Sequence, residues 1–175
     1  MGSDKKNSSV VEEKDSIGLL TSLLVRYPEV CSLNYYAWKN SLELMFIMRG
    51  KLKKSILKKF SDELIMCIRT YLYFEKKVIP EQMMINYAYE LDLTKIMITR
   101  DAITLTPKEI SLIINLLNSR FKNLLISDES SIFEEEDLLL QDDYIKYMLD
   151  NLQPRRFKNK IIALREEGRV LVFKQ

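Results

Sequence analysis

Five lysines lie close together at the predicted start of a long helix, and they are the residues best placed to recognise an anion. They are Lys51, Lys53, Lys54, Lys58 and Lys59. A helix N-terminus attracts negative charge, and lysines at that position would add to the attraction. We therefore name the first four as candidate contacts to a nucleic-acid backbone or another anion. A solvated lysine face is the favoured interpretation, because Asp62 and Glu63 follow directly.

Nucleic-acid binding would also need side chains on which bases can stack. Three aromatic residues of the neighbouring strands or loops suit this role, namely Tyr36, Trp38 and Tyr89. No fingerprint of an RNA-binding domain accompanies them. Binding of RNA or DNA is therefore the alternative function of this chain and not the first.

The residue types needed for most enzymatic chemistry are missing. The sequence has no histidine, which excludes Ser-His and Cys-His nucleophile pairs and His-ligated metals. It has no C-x-x-C motif, and its four glycines stand too far apart for a phosphate-binding loop. Catalysis would have to depend on carboxylates, lysines or tyrosines, and no pair has a spacing that indicates it. We predict a protein that is not an enzyme and uses no cofactor or metal.

A strongly acidic segment precedes a basic cluster near the end of the chain. Residues 128–143 contain eight acidic side chains and no lysine or arginine. Ser131 and Glu134 have the spacing of a capping box, so we predict a helix that starts there and ends at about Leu152. A cation site is disfavoured, because the acids lack the spacing of a calcium-binding loop. The basic cluster supplies further candidate contacts, to a partner or to the acidic segment. These are Arg155, Arg156 and Lys158, with Lys160 beyond them.

The elements that must position these side chains begin with two strands and a helix. Residues 30–36 alternate apolar and polar side chains, as a half-buried strand does. Residues 37–40 read as a hairpin loop and residues 41–48 as the second strand. After Gly50, apolar side chains recur at three- and four-residue steps, which indicates an amphipathic helix.

A second unit of the same pattern follows when the numbering is shifted by about 52 residues. Its helix begins with Thr106-Pro107-Lys108-Glu109, a capping box with proline at the first helical position. We therefore predict an α+β fold of tandem β-β-α units. The hairpins would form a four-stranded, mainly antiparallel sheet with both long helices on one face. Gene duplication is not established, because any two such units share this pattern of polar and apolar residues.

The second face of that sheet would carry an apolar centre made of Met45, Ile47, Met84 and Met97. The favoured expectation is that the N-terminal helix or the C-terminal part covers it. The alternative is a protein-binding surface, since methionine suits adaptable contacts and exposed apolar patches mark partners.

The ends of the chain complete the predicted organisation. We expect a disordered segment at residues 1–15 and a core domain at 16–127 that opens with a helix capped by Ser16. Residues 128–175 would form the acidic helix, the basic cluster and a final strand at Arg169–Phe173 that adds to a sheet edge, in this molecule or in a partner. No signal peptide or membrane span is predicted, and two cysteines do not form a disulfide scaffold.

Together these features predict a small cytoplasmic, non-enzymatic protein that binds another protein or regulates it, with dimerisation through the sheet. The net charge of +2 is too small to indicate a partner by itself. An enzyme that uses carboxylates on a small substrate is the least favoured alternative.

Overall fold

A computed structural model describes residues 3–75, 78, 80–128, 135–152 and 159–175, with only the backbone described at residues 3–13 and 135. The helices are α1 (Ser3–Arg26), α2 (Lys54–Phe74), α3 (Pro107–Phe121) and α4 (Glu135–Asp150), and a short 3-10 helix follows α3 at Lys122–Leu124. The strands are β1 (Ser32–Tyr36), β2 (Ser41–Arg49), β3 (Met83–Glu90), β4 (Leu93–Asp101), β5 (Lys160–Glu166) and β6 (Arg169–Lys174).

One antiparallel sheet of six strands runs in the order β3-β4-β2-β1-β5-β6. The α+β class is therefore confirmed, and the predicted sheet of four strands is wrong. The two hairpins join through β2 and β4, but β5 pairs with the outer side of β1 and β6 follows it. The predicted repeat does not describe this sheet either, because β1 lies inside it whereas β3 forms an edge.

One face of the sheet, the helix face, forms the core. Residues paired across the strands point to the same side, so Leu33, Leu44, Ile98 and Ala163 share this face, and all four are buried. The apolar stripes of α2 and α3 pack against it. Their buried members include Leu57, Phe60, Leu64, Ile68, Ile110, Ile113, Leu117 and Phe121.

Helix α1 lies on the same face of the sheet as α2 and α3. Its Leu24 carbonyl accepts a hydrogen bond from the Arg165 side chain of β5, and the Tyr27 hydroxyl donates to the Pro107 carbonyl at the start of α3 over 3.1 Å. The helix begins at Ser3, so the prediction of a disordered segment at residues 1–15 differs from the structure. Ser16 does not cap it but lies buried within it.

Helix α4 packs against α1, so it too lies on the helix face. Asp142 of α4 accepts two hydrogen bonds from Arg26 of α1, at 2.8 and 3.1 Å. The Asn40 side chain of the β1–β2 loop donates to the Leu152 carbonyl just after α4. The second face of the sheet was expected to be covered by the N-terminal helix or the C-terminal part; neither α1 nor α4 covers it, and residues 129–134 and 153–158 of the C-terminal part lie outside the described residues. Apolar side chains of α1 such as Leu20 are instead buried between the sheet and α4.

A buried ion pair fixes the start of α3 to β4. The predicted cap is present in part, because the Thr106 hydroxyl accepts a hydrogen bond from the Glu109 amide at 3.2 Å. The Glu109 carboxylate does not complete a capping box. It accepts two hydrogen bonds from Arg100 at 2.6 and 3.0 Å, and both side chains are fully buried.

Every remaining donor of the Arg100 guanidinium is also directed at an acceptor. It donates to the Gln82 carbonyl at 3.2 Å, to Thr104 Oγ1 at 3.3 Å and to Asp101 at 3.4 Å. The Asp101 carboxylate in turn accepts a hydrogen bond from the backbone N–H of Gln82 at 2.6 Å. This network joins the start of β3, the end of β4 and the start of α3, so a buried charge is tolerated there.

Replacing Glu109 by alanine should lower the free energy of unfolding by about 3–5 kcal/mol, because Arg100 would stay buried without its partner. Urea denaturation measures this loss. The control is Glu63→Ala, which removes a surface pair 3.9 Å from Arg120 and should cost less than about 1 kcal/mol. An equal loss in both variants would contradict the assigned role of the buried pair.

Candidate functional site

The second face of the sheet, here called the open face, is not covered by any helix that the structure describes. Paired residues place Met97, Met45, Ser32, Leu164 and Leu171 in one continuous row across five strands. The open face consists of Ser32, Asn34, Tyr36, Glu43, Met45, Ile47, Met84, Asn86, Lys95, Met97, Thr99, Lys160, Ile162, Leu164, Leu171 and Phe173.

Large apolar side chains form two groups on the open face. The structure brings together the four predicted members of the first group, which are Met45, Ile47, Met84 and Met97. The second group consists of Ile162, Leu164, Leu171 and Phe173. It was not predicted, because β5 was not predicted as a strand and the final strand was expected at a sheet edge of either this molecule or a partner. Met84 and Phe173 are each about half exposed, at 51% and 50%. The role of the first group in binding a partner stays a prediction.

Polar side chains of β1 and β2 separate the two apolar groups. Glu43 accepts hydrogen bonds from Asn34 at 2.7 Å, from Tyr36 at 3.4 Å and from Thr99 at 3.5 Å. The Lys160 ammonium lies 5.5 Å from the centre of the Tyr36 ring. These polar side chains form hydrogen bonds or cation–π contacts with one another. They give the open face a polar centre between two apolar flanks.

The ionisation of Tyr36 reports on this polar centre. Burial raises the pKa of Tyr36 above its ordinary value of 10.0, and the negative charge and hydrogen bond of Glu43 raise it further. A raised pKa means that this hydroxyl stabilises the fold below about pH 10 and that its contribution is lost as the pH rises through the folded-state pKa. We expect Glu43→Gln to lower the pKa of Tyr36.

The measurement is an alkaline titration of tyrosinate absorbance, taken as the difference between each protein and its Tyr36→Phe counterpart. Glu90→Gln is the matched control, because Glu90 pairs with Lys95 and not with Tyr36. An unchanged Tyr36 titration in Glu43→Gln would contradict the contact.

A cleft of about 340 Å³ lies at one end of the sheet, and Cys31, Ile47 and Arg165 contribute to its walls. Burial raises the pKa of the Cys31 thiol, although the positive charges of Lys95 and Arg165 partly oppose this. The reactive thiolate is therefore disfavoured at neutral pH, which argues against Cys31 as a nucleophile.

The predicted lysine cluster lies at the exposed start of α2. Lys51, Lys53, Lys54 and Lys58 are all exposed, and none forms an ion pair with a described residue. The helix begins without a side-chain cap and without an acidic residue in its first turn. Its free amide groups and the lysines together make this end of α2 electropositive.

Only one of the predicted stacking residues lies near these lysines. The Tyr89 hydroxyl donates to the Leu52 carbonyl at 2.9 Å, and its side chain is exposed. Tyr36 and Trp38 stand at the opposite end of β2, roughly 27 Å away for a strand of this length. The predicted grouping of all three aromatic residues with the lysines is therefore wrong.

Part of the predicted tail lies outside the described residues. This applies to Arg155, Arg156 and Lys158 and to the capping pair Ser131 and Glu134. Two acids of the described part are paired within the molecule. Asp128 lies 3.4 Å from Arg165, and Asp142 lies 2.8 Å from Arg26.

Within the described ranges, no three acidic or cysteine side chains come together as metal ligands would. None of the helices in the described part of the chain has the length and apolar character of a membrane span. Comparison with protein-family models, with curated proteins and with solved structures found no match.

Proposed function

We propose that this is a cytoplasmic, non-enzymatic protein that binds through the open face, and that its partner there is a second copy of the chain. The observation that carries the proposal is the packing of the four α-helices that the structure describes on the other face. Eight large apolar side chains thus remain on the open face with no described helix over them. The free thiols Cys31 and Cys67 support a reducing setting.

The size of the open face agrees with a specific interface. Six strands and about six residues along each give roughly 25 Å by 20 Å, from the usual spacings in a sheet. A pair would bury on the order of 1,000 Å² in total, which is near the lower limit for specific association. We therefore expect a dissociation constant on the order of micromolar.

Part of the open face is self-complementary. A two-fold axis along β1 would place Met45 and Met97 of one molecule on Leu164 and Leu171 of the other, with the hydrogen-bonded Glu43 opposite Ile162. The sheets would then stack about 10 Å apart, as in two-sheet proteins. The polar residues of β1 would face their own copies at the centre of the interface, next to the axis.

Introducing charge on the open face should dissociate the pair, because a buried glutamate without a partner is costly. We expect Met45→Glu with Met97→Glu to be monomeric at concentrations where the unchanged protein is dimeric. Analytical ultracentrifugation over a concentration series measures this, with circular dichroism as a check on folding. The matched control is Met66→Glu, on the exposed side of α2. A monomeric unchanged protein at every concentration would overturn the proposal.

Binding of nucleic acid is a second candidate, supported by the uncapped start of α2 and its exposed lysines. Replacing Lys51, Lys53 and Lys54 by glutamate should abolish binding of a labelled single-stranded RNA. For the unchanged protein, three phosphate contacts would contribute about −2 to the slope of log affinity against log salt concentration. Fluorescence anisotropy over a salt series measures both quantities.

The matched control spreads the same charge change over other helices and their ends, at the exposed Lys108, Lys122 and Lys146. This control variant should keep a larger fraction of the affinity for the RNA than the variant with glutamate at 51, 53 and 54. Equal losses in the two variants would indicate a general effect of net charge, and the assignment to α2 would fail.

A further inference from the structure

Helix α4 has a second apolar stripe that the fold does not use. Its first stripe, which includes Ile145, Met148 and Leu149, is buried against the rest of the protein. The second stripe consists of Leu140, Tyr144 and Tyr147, which are 69%, 49% and 64% exposed. Steps of four and three residues place these side chains on one face of the helix.

This exposed stripe borders a groove between α1 and α4 with a volume of about 420 Å³. Thr21, Ser22 and Val25 form the α1 wall, whereas Leu140, Gln141 and Tyr144 lie on the α4 wall with Asp137. The side-chain oxygen Oε1 of Gln141 is buried and accepts no hydrogen bond from a described residue. A ligand with a polar donor can therefore gain a hydrogen bond in the groove.

The two helices approach closely at one end of this groove. A Cβ atom at Gly18 of α1 would lie 3.6 Å from the Met148 methyl group and 3.8 Å from the Tyr144 hydroxyl. Both are ordinary contact distances, so the Tyr144 side chain lies over α1 at this point. It becomes part of the wall of the groove instead of projecting freely into solvent.

Acidic side chains without a described ion-pair partner lie beside the stripe. Glu136, Asp143 and Asp150 are exposed and lie seven residues apart, so they form one line along α4. Together with Asp137, they form no ion pair with any described residue. Lys146 is the single basic residue of α4.

We infer that the α1–α4 groove is the docking site of a basic amphipathic helix from a partner protein. A third helix can lie in the groove between two others and place its apolar stripe against Leu140, Tyr144 and Tyr147. Its lysines or arginines would then meet the acids that recur every seven residues along α4. A second copy does not suit this site, because it would bring acid against acid.

The test uses the full-length chain carrying Met45→Glu and Met97→Glu, so that dimerisation through the open face does not contribute. The probe is a labelled synthetic peptide with leucine and lysine at helical spacing, and its comparator has glutamate in place of lysine. Fluorescence anisotropy should show at least tenfold tighter binding of the lysine peptide. Hydrogen exchange should show new protection in α1 and α4.

Two variants separate docking in the groove from a general attraction of the peptide to exposed aromatic or charged surface. Tyr144→Ala with Tyr147→Ala should weaken binding of the lysine peptide at least tenfold. The control Tyr73→Ala with Phe74→Ala removes comparably exposed aromatic side chains from α2 and should leave the affinity unchanged. Equal binding of the two peptides, equal loss in the two variants, or protection confined to other elements would each overturn the inference.

Discussion

The pairing of β1 with β5 joins parts of the chain that are more than a hundred residues apart, and the rest of the architecture depends on it. Because Leu33 lies opposite Ala163 and Asn34 opposite Ile162, the register assigns each residue of β5 to one face of the sheet. A slip of one residue would exchange the faces and expose Ala163. The core therefore determines which side chains remain on the open face.

The ion pair between Arg100 and Glu109 has a corresponding role for the second hairpin. A buried pair of charges adds little net stability compared with apolar residues of the same size. It is demanding in geometry, however, because every donor of Arg100 must find its acceptor. The pair thus favours one placement of α3 relative to β4 over others that would bury a similar apolar area.

Local patterns could be predicted from the sequence, whereas long-range pairing could not. The alternation around Leu33 and Leu44 and the helical spacing after Gly50 depend on neighbouring residues alone. The role of Glu109 was assigned to the capping box because Arg100, its actual partner, lies on another element. The second apolar group of the open face was missed for the same reason, since Ile162 joins that face only when β5 pairs with β1.

The two proposed binding surfaces lie on opposite sides of the sheet. The open face contains the side chains that point away from the helices, and the α1–α4 groove lies in the helix layer itself. Occupation of one surface therefore does not obstruct the other. Their chemistry differs as well, because the open face has apolar flanks around a hydrogen-bonded polar centre. Helix α4 instead carries acids at 136, 143 and 150 that form no ion pair with a described residue. The same fold is thus suited to hold two copies together through the sheet while each copy binds a basic helix on its outer side.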